Sequence, residues 1–306
     1  MEQNLNTHKE NIKDHEIVYT KGFIDRFKKV LIDFYEYETY MDFIIIPFLI
    51  EKTLMYISLL SYSDRKHNEV DDLLALVKDN DYQIRTLNFE YENFKKDDTV
   101  TMRINSINID DLCAFFSQKT RRYIRKGKKE GFNVLAGNSD KMIEEFYELF
   151  SESMYEHGTP AFDKGFIYKL REEFEDDIVF LNFYKDDKAV GSVCGLLDKD
   201  IIIWEWLGLD NHYKKQALGH YIMYKQIKYG IDAKRKIIDL GRSGYETGTY
   251  EFKRRFHAYP VKIDVYQPYQ EDIYEKYKFA SELWKKLPKP VVDILGAKLS
   301  KYLKDL

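Results

Sequence analysis

The residues best equipped for chemistry crowd into one stretch, GRSGYETGTYEFKRRF at 241–256. It begins where the apolar run RKIIDLG (235–241), which reads as a strand, comes to its end. Arg242 and Ser243 therefore stand at the carboxyl end of a strand, where open α/β sheets receive their ligands. Gly244 and Gly248 permit positive φ and close backbone approach, and Thr249 is the expected N-cap of a short helix. In that helix Phe252 and Phe256, four apart, share a core-facing side, while Tyr250, Lys253 and His257 share a neighbouring one. Phe252 then anchors the turn beneath Lys253, which reaches a cleft. The plainer reading of Lys253 is a solvated helix lysine.

Two other places carry charge in a telling position. In IIIWEWLGL (201–209) strict alternation sets Glu205 on the face opposite Trp204 and Trp206. A carboxylate among apolar neighbours has a raised pKa and can serve as a general base. An outward-pointing, salt-bridged Glu205 is the bland alternative. In TRRYIRKGKKEGF (120–132), Arg121, Arg122, Arg125, Lys128 and Lys129 fall three and four apart and make one positive helix face. Such a face is usually solvated, but it also suits a phosphate, in a nucleotide-sugar or a tRNA stem.

These groups need elements to hold them. The first 16 residues read as disordered, and from 17 to about 117 the pattern is mixed. Strands are expected at 54–62, 82–90 and 99–106, with an amphipathic helix at 68–80. A helix around 109–130 leads into a regular second half. There FNVLAG (132–137) is a strand and 139–158 a helix stopped by Gly158, with a second helix near 164–175. IVFLNFYK, AVGSVCGLL and IIIWEWLGL form an antiparallel meander. A helix at 213–230, the strand 235–241, the short helix and a strand at 259–267 complete the order β-α-α-β-β-β-α-β-α-β.

That order resembles the core of the GNAT acyltransferase superfamily. The strand ending in GRS, followed by GTYEFKRRF and a strand, is similar to the second domain of the FemAB/FemX-like aminoacyltransferases. RRYIRKGKKEGF (121–132), HGTPAF (157–162) and the tail ASELWKKLPKPVVDILGAKLSKYLKDL (280–306) agree with it. The resemblance implies an α/β GNAT fold with two GNAT-like domains. The first, 1–117, would be reduced and degenerate, 118–270 would be the acyltransferase domain, and 271–306 a C-terminal helical tail. It implies transfer of an aminoacyl or acyl group to an amine of a cell-envelope precursor, such as one of peptidoglycan, or of a small metabolite.

Acyl transfer to an amine passes through a tetrahedral oxyanion that a nearby ammonium stabilises. The resemblance gives that role to Lys253. Arg242, Ser243, Tyr250, Phe252 and Trp206 would line the substrate site, with Glu205 as base and Arg122 and Arg125 on acceptor phosphate. The pyrophosphate loop of GNAT enzymes, Q/R-x-x-G-x-G/A, is matched by Gln216 and Gly219, but Tyr221 takes the last place. A ring there would crowd a phosphate cradle, and the basic run is expected to lie away from this loop. Weak or absent acetyl-CoA binding follows, with better binding of an aminoacyl-tRNA or another phosphate-bearing acyl carrier; acyl-CoA is the alternative co-substrate. No tightly bound cofactor and no metal are expected. A reading of another class is an inactive GNAT-like scaffold for envelope-polysaccharide enzymes.

Composition sets the limits. The 306 residues suffice for about two domains, and 44% apolar with 33% charged residues is a globular profile. A net charge of −4 argues against DNA as a partner. The longest uncharged apolar run, FIIIPFLI (43–50), is too short to cross a bilayer. Cys113 and Cys194 stand apart, which speaks against structural zinc and for a reduced, cytoplasmic setting. The tail combines Trp284, Leu287, Val291, Ile294 and Leu295 with lysines. It is expected to pack on the domain, with contact at a membrane surface as the alternative.

Overall fold

The computed structural model describes residues 19–40, 43–47, 54–61, 75, 83–87, 95–106, 112–266 and 280–302. The expected disorder of the first 16 residues lies outside these, as does the helix expected at 68–80 apart from Ala75.

A helix the mixed early pattern concealed comes first: α1, Lys21–Tyr35. Thr20 caps it by accepting from Phe23 N, and Phe23, Ile24, Val30, Leu31 and Tyr35 form its buried stripe. The strands β1 (Glu38–Tyr40), β2 (Phe43–Pro47), β3 (Leu54–Ser61), β4 (Gln83–Leu87) and β5 (Lys95–Asn105) follow. The helix expected at 109–130 is two pieces, α2 (Leu112–Phe115) and α3 (Gln118–Lys129), because Ser117 intervenes and caps the second through Thr120 N. Then come β6 (Asn133–Gly137), α4 (Asp140–His157), α5 (Lys164–Phe174) and the meander β7 (Ile178–Lys185), β8 (Lys188–Leu197), β9 (Ile201–Leu209). The chain closes with α6 (Leu218–Asp232), β10 (Ile237–Gly244), α7 (Gly248–Arg254), β11 (Tyr259–Tyr266) and α8 (Lys289–Leu299).

Among the described residues the strands form one sheet of eleven, in the order β1-β2-β3-β4-β11-β5-β10-β9-β8-β7-β6. The sheet does not pause at residue 118. Strand β5 runs antiparallel between β10 and β11, with Arg103 opposite both Asp239 and Tyr259.

Two aromatic-rich cores lie on the two faces. Helices α1, α4 and α5 cover one, where Phe146, Phe166, Phe174, Phe180 and Trp206 are buried. Helices α3, α6 and α7 cover the other, over Phe183, Trp204, Tyr221 and Phe256. Alternation along β7 feeds both, with Phe180 in the first and Val179 and Leu181 in the second. Each such side chain stabilises the fold by roughly 1.5–3 kcal/mol.

Candidate active site

The site begins with a defect in the sheet. Strands β9 and β10 are parallel and pair only through Ile201–Ile237, Ile202–Ile238 and Ile203–Asp239. Beyond those pairs both strands carry an extra residue. On β9, Cys194 of β8 faces Trp206 while its neighbour Gly195 faces Trp204, so Glu205 is the bulged residue. On β10, Asp239 faces Arg103 and Arg242 faces Thr101, which leaves two residues, Leu240 and Gly241, opposite one. Gly241 has φ +73°, and a Cβ on it would meet Trp204 O at 3.0 Å. Only glycine fits there. The bulges abut, the strands part, and the β10-facing edge of β9 is left open in the middle of the sheet. Leu207, 43% exposed on that stretch, marks the opening.

The bulge corrects two expectations. Alternation fails at Glu205, so Trp204 and Trp206 bury on opposite faces rather than together. Trp206 lies edge-on to Phe162 and Phe166 in the core, which removes it from a substrate-lining position. Glu205 pairs with Arg242, Nη2 to Oε1 3.6 Å, with both side chains partly exposed.

Lys253 reaches the same place from α7. It is 7% exposed, and its Nζ donates to Gly241 O at 3.0 Å and Arg242 O at 2.8 Å. It is no solvated surface lysine. An ammonium has three N–H groups, so one remains for a ligand. Burial pushes its pKa down to about 8, with Arg242 adding to the fall while Asp239 and Glu205 oppose it. Thr247, rather than Thr249, caps α7 by accepting from Tyr250 N. Among the expected glycines, neither Gly244 nor Gly248 takes positive φ, which falls to Gly241. Tyr250 is buried, its ring 5.1 Å from that of the exposed Tyr245, and Ser243 is buried with its hydroxyl on Arg242 O. Phe256 is the core anchor; Phe252 is half-buried and edge-on to His220. His257 lies beyond the helix, exposed against Phe115.

Beneath these groups lies a network that sequence reasoning missed. Asp239, 1% exposed, accepts from Thr101 Oγ1 at 2.5 Å, Arg103 Nε at 2.8 Å, Gly241 N at 2.9 Å and Tyr19 OH at 3.4 Å. Burial disfavours the Arg103 guanidinium, but Asp239 outweighs it and raises its pKa. Burial and Asp239 likewise hold the Tyr19 phenol well above its usual range. Asp239 thus ties the bulge at Gly241 to β5. The signal was an aspartate inside the apolar run IIDLG.

The start of α6 differs from expectation as well. The chain passes through a tight 3₁₀ turn, Asn211–Gln216, and the helix opens only at Leu218 after Ala217 at φ 60°. Tyr221 is 7% exposed, packed with Phe132 and Phe183 in the core, and so does not crowd the loop. A Cβ on Gly219 would meet nothing within 4 Å, and Gln216 Oε1 is buried without a hydrogen-bond partner. Nor does the basic run lie away from this loop. Gly127 packs against Tyr221 and Ala217, and Lys126 Nζ donates to Lys215 O at 2.6 Å. Arg122 and Arg125 line an open groove of about 960 Å³ on α3, with Gln118, Lys126 and Lys129. They do not join the Lys253 cluster. Tyr123 stacks on His220 at 4.5 Å and links the two regions. Burial, aided by Arg255, pushes His220 down to about 4, so it acts there as a neutral aromatic.

Residues 114–254 match the family model described as an acetyltransferase (GNAT) domain. The fold is that of the GNAT superfamily. FemX superposes with a TM-score of 0.58 at 10% identity, covering 92% of this chain and 98% of its own. The C-terminal domain of a protein assigned as a lysylphosphatidylglycerol synthetase from Agrobacterium fabrum gives 0.58 at 11% identity, with 92% and 98% covered. L-PGS from Bacillus licheniformis gives 0.51 at 11% identity, with 80% and 86% covered. No curated protein matches the sequence. Among the described residues no group of His, Cys, Asp and Glu is placed to hold a metal, and no helix is long and apolar enough to cross a membrane.

Proposed function

We propose that the chain is an acyltransferase of the FemX-like kind, moving an aminoacyl or acyl group onto an amine of a cell-envelope precursor or small metabolite. One observation carries this reading: parallel strands part at two abutting bulges, and the Lys253 ammonium is held at that fork with one N–H to spare. An acyl carbonyl lodged there puts its oxygen toward a fixed cation. As the amine attacks, the developing oxyanion is stabilised by that N–H, and collapse expels the carrier. The amine's proton leaves to solvent, to a substrate phosphate, or to Glu205. Arg242 holds Glu205 in place, and the groove with Arg122 and Arg125 takes phosphate of the acceptor or carrier. Likeness of fold to FemX and to synthetases of an aminoacylated lipid supports an aminoacyl donor.

A second reading, transfer from an acyl-CoA, is favoured by the start of α6. Gly219 is open, Tyr221 is turned away, basic α3 flanks the loop, and Gln216 Oε1 lacks the N–H that a pantetheine amide would supply. Calorimetry with acetyl-CoA and with aminoacyl-tRNA separates the two. Tighter binding of the tRNA is expected. A low-micromolar constant for acetyl-CoA, about −8 kcal/mol, moves the assignment to the second reading. Binding of neither, with no phosphate-bearing compound co-purifying by mass spectrometry, returns the chain to the inactive-scaffold class.

A further inference from the structure

Large exposed apolar side chains are few among the described residues, and most of them sit in one short stretch. Leu283 is 49% exposed, Val291 41%, Ile294 63% and Leu295 37%. Within α8, Val291, Ile294 and Leu295 stand at i, i+3 and i+4 and share one face. The opposite face is committed. Val292, Gly296 and Ser300 are buried, and Gly296 lies so close to Ala161 that a Cβ would be 3.0 Å from its carbonyl oxygen. Lys289 Nζ to Ser151 Oγ at 3.1 Å, Tyr155 OH to Leu287 O at 3.0 Å and Tyr37 OH to Lys301 O at 2.6 Å fasten the segment to the body. Its apolar face is therefore turned outward by construction.

Charge identifies what meets it. Residues 280–302 hold five lysines, at 285, 286, 289, 298 and 301, against Glu282 and Asp293, although the whole chain carries −4. Lys285 pairs with Glu282 and Lys289 with Asp293, so Lys286, Lys298 and Lys301 make up the positive excess. A second copy docking through this face would bring two positive patches together. An anionic lipid surface neutralises the patch and takes up the apolar side chains.

We propose that the outer face of α8, with Leu283, seats the protein on an anionic membrane surface. The apolar side chains enter the boundary between headgroups and acyl chains, and lysine stems carry their ammoniums to lipid phosphates. The inner face stays on the body, so the helix lies on the bilayer and does not enter it. This surface needs no acyl transfer, so its test is independent of the proposed activity.

The full chain is sedimented with vesicles of phosphatidylcholine containing phosphatidylglycerol, and with vesicles of phosphatidylcholine alone. Binding to the first and not the second is expected, weakening as salt rises. Ile294→Glu, at a position 63% exposed, should lower partitioning about tenfold or more with an unchanged melting temperature. Should that variant melt early, Ile294→Ser reads the same contact with a milder change. Absence of binding, equal binding to neutral vesicles, or undiminished binding by folded variants overturns the proposal. So does a shift from dimer to monomer on Ile294→Glu by sedimentation velocity, which would make the face a contact between copies.

Discussion

The fork between β9 and β10 and the basic face of α3 both present cations, but on opposite terms. At the fork the charges are few, and the central one is buried: Lys253, held by two backbone carbonyls, has lost most of its water and its pKa has moved. On α3 the charges are many, and Arg122, Arg125, Lys128 and Lys129 are exposed. Buried cations gain strength from the low dielectric and depend on every neighbour that compensates them. Exposed ones are screened and interchangeable. The proposed function accordingly puts the chemistry at the first place and the capture of phosphate at the second.

The sharpest way to break this contrast is Asp239→Asn. It leaves Arg103 buried beside a neutral amide, and a loss of about 3–5 kcal/mol in stability is expected by denaturant titration. The double change Asp239→Leu with Arg103→Met should cost less than the single one. Lys253→Met comes next. It should lower the transfer rate on the order of a hundredfold while the chain stays folded, and near-normal turnover removes Lys253 from the mechanism.

The pH profile sharpens that assignment. If Lys253 acts as an ammonium, the rate falls as pH rises through about 8; if it acts as a free amine, the rate rises there. Stability moves with a fixed sign. Because the folded pKa is depressed from 10.5, the penalty on the charged lysine is full below about 8 and is relieved between about 8 and 10.5. Lys253→Met should abolish that slope. The smallest effect belongs to α3. Arg122→Gln with Arg125→Gln should raise KM a few-fold and flatten its salt dependence, with stability changed by less than about 0.5 kcal/mol. A lowered melting temperature with unchanged KM would give these arginines a structural role instead.

Much of the second half was legible because its signals are local. The meander strands, the helix stop at Gly158 and the short helix bearing Lys253 follow from periodicity and punctuation within a few residues. The grouping of the candidate site was legible in part for the same reason: Arg242 and Lys253 are eleven apart in one loop and helix. What escaped depends on distant partners. Nothing in IIIWEWLGL announces a bulge, because the bulge is a mismatch of register with β8. Asp239 and Arg103 lie 136 residues apart, and no local pattern pairs them. Helix α1 is the exception, since its apolar stripe and Thr20 cap were present but stood in a stretch of mixed pattern.

The place of β5 between β10 and β11 governs how this chain must come together. As the chain leaves the ribosome, residues 95–105 emerge long before either neighbour, for Arg103 waits on Asp239 and then on Tyr259. The early segment therefore cannot finish ahead of the late one, and the late one cannot close its sheet alone. Loop closure over such spans makes assembly slow and leaves a strand edge bare in the meantime, open to pairing with other nascent chains. Cutting the gene at residue 118 would remove an interior strand from the sheet, and the two pieces should recover structure only when expressed together.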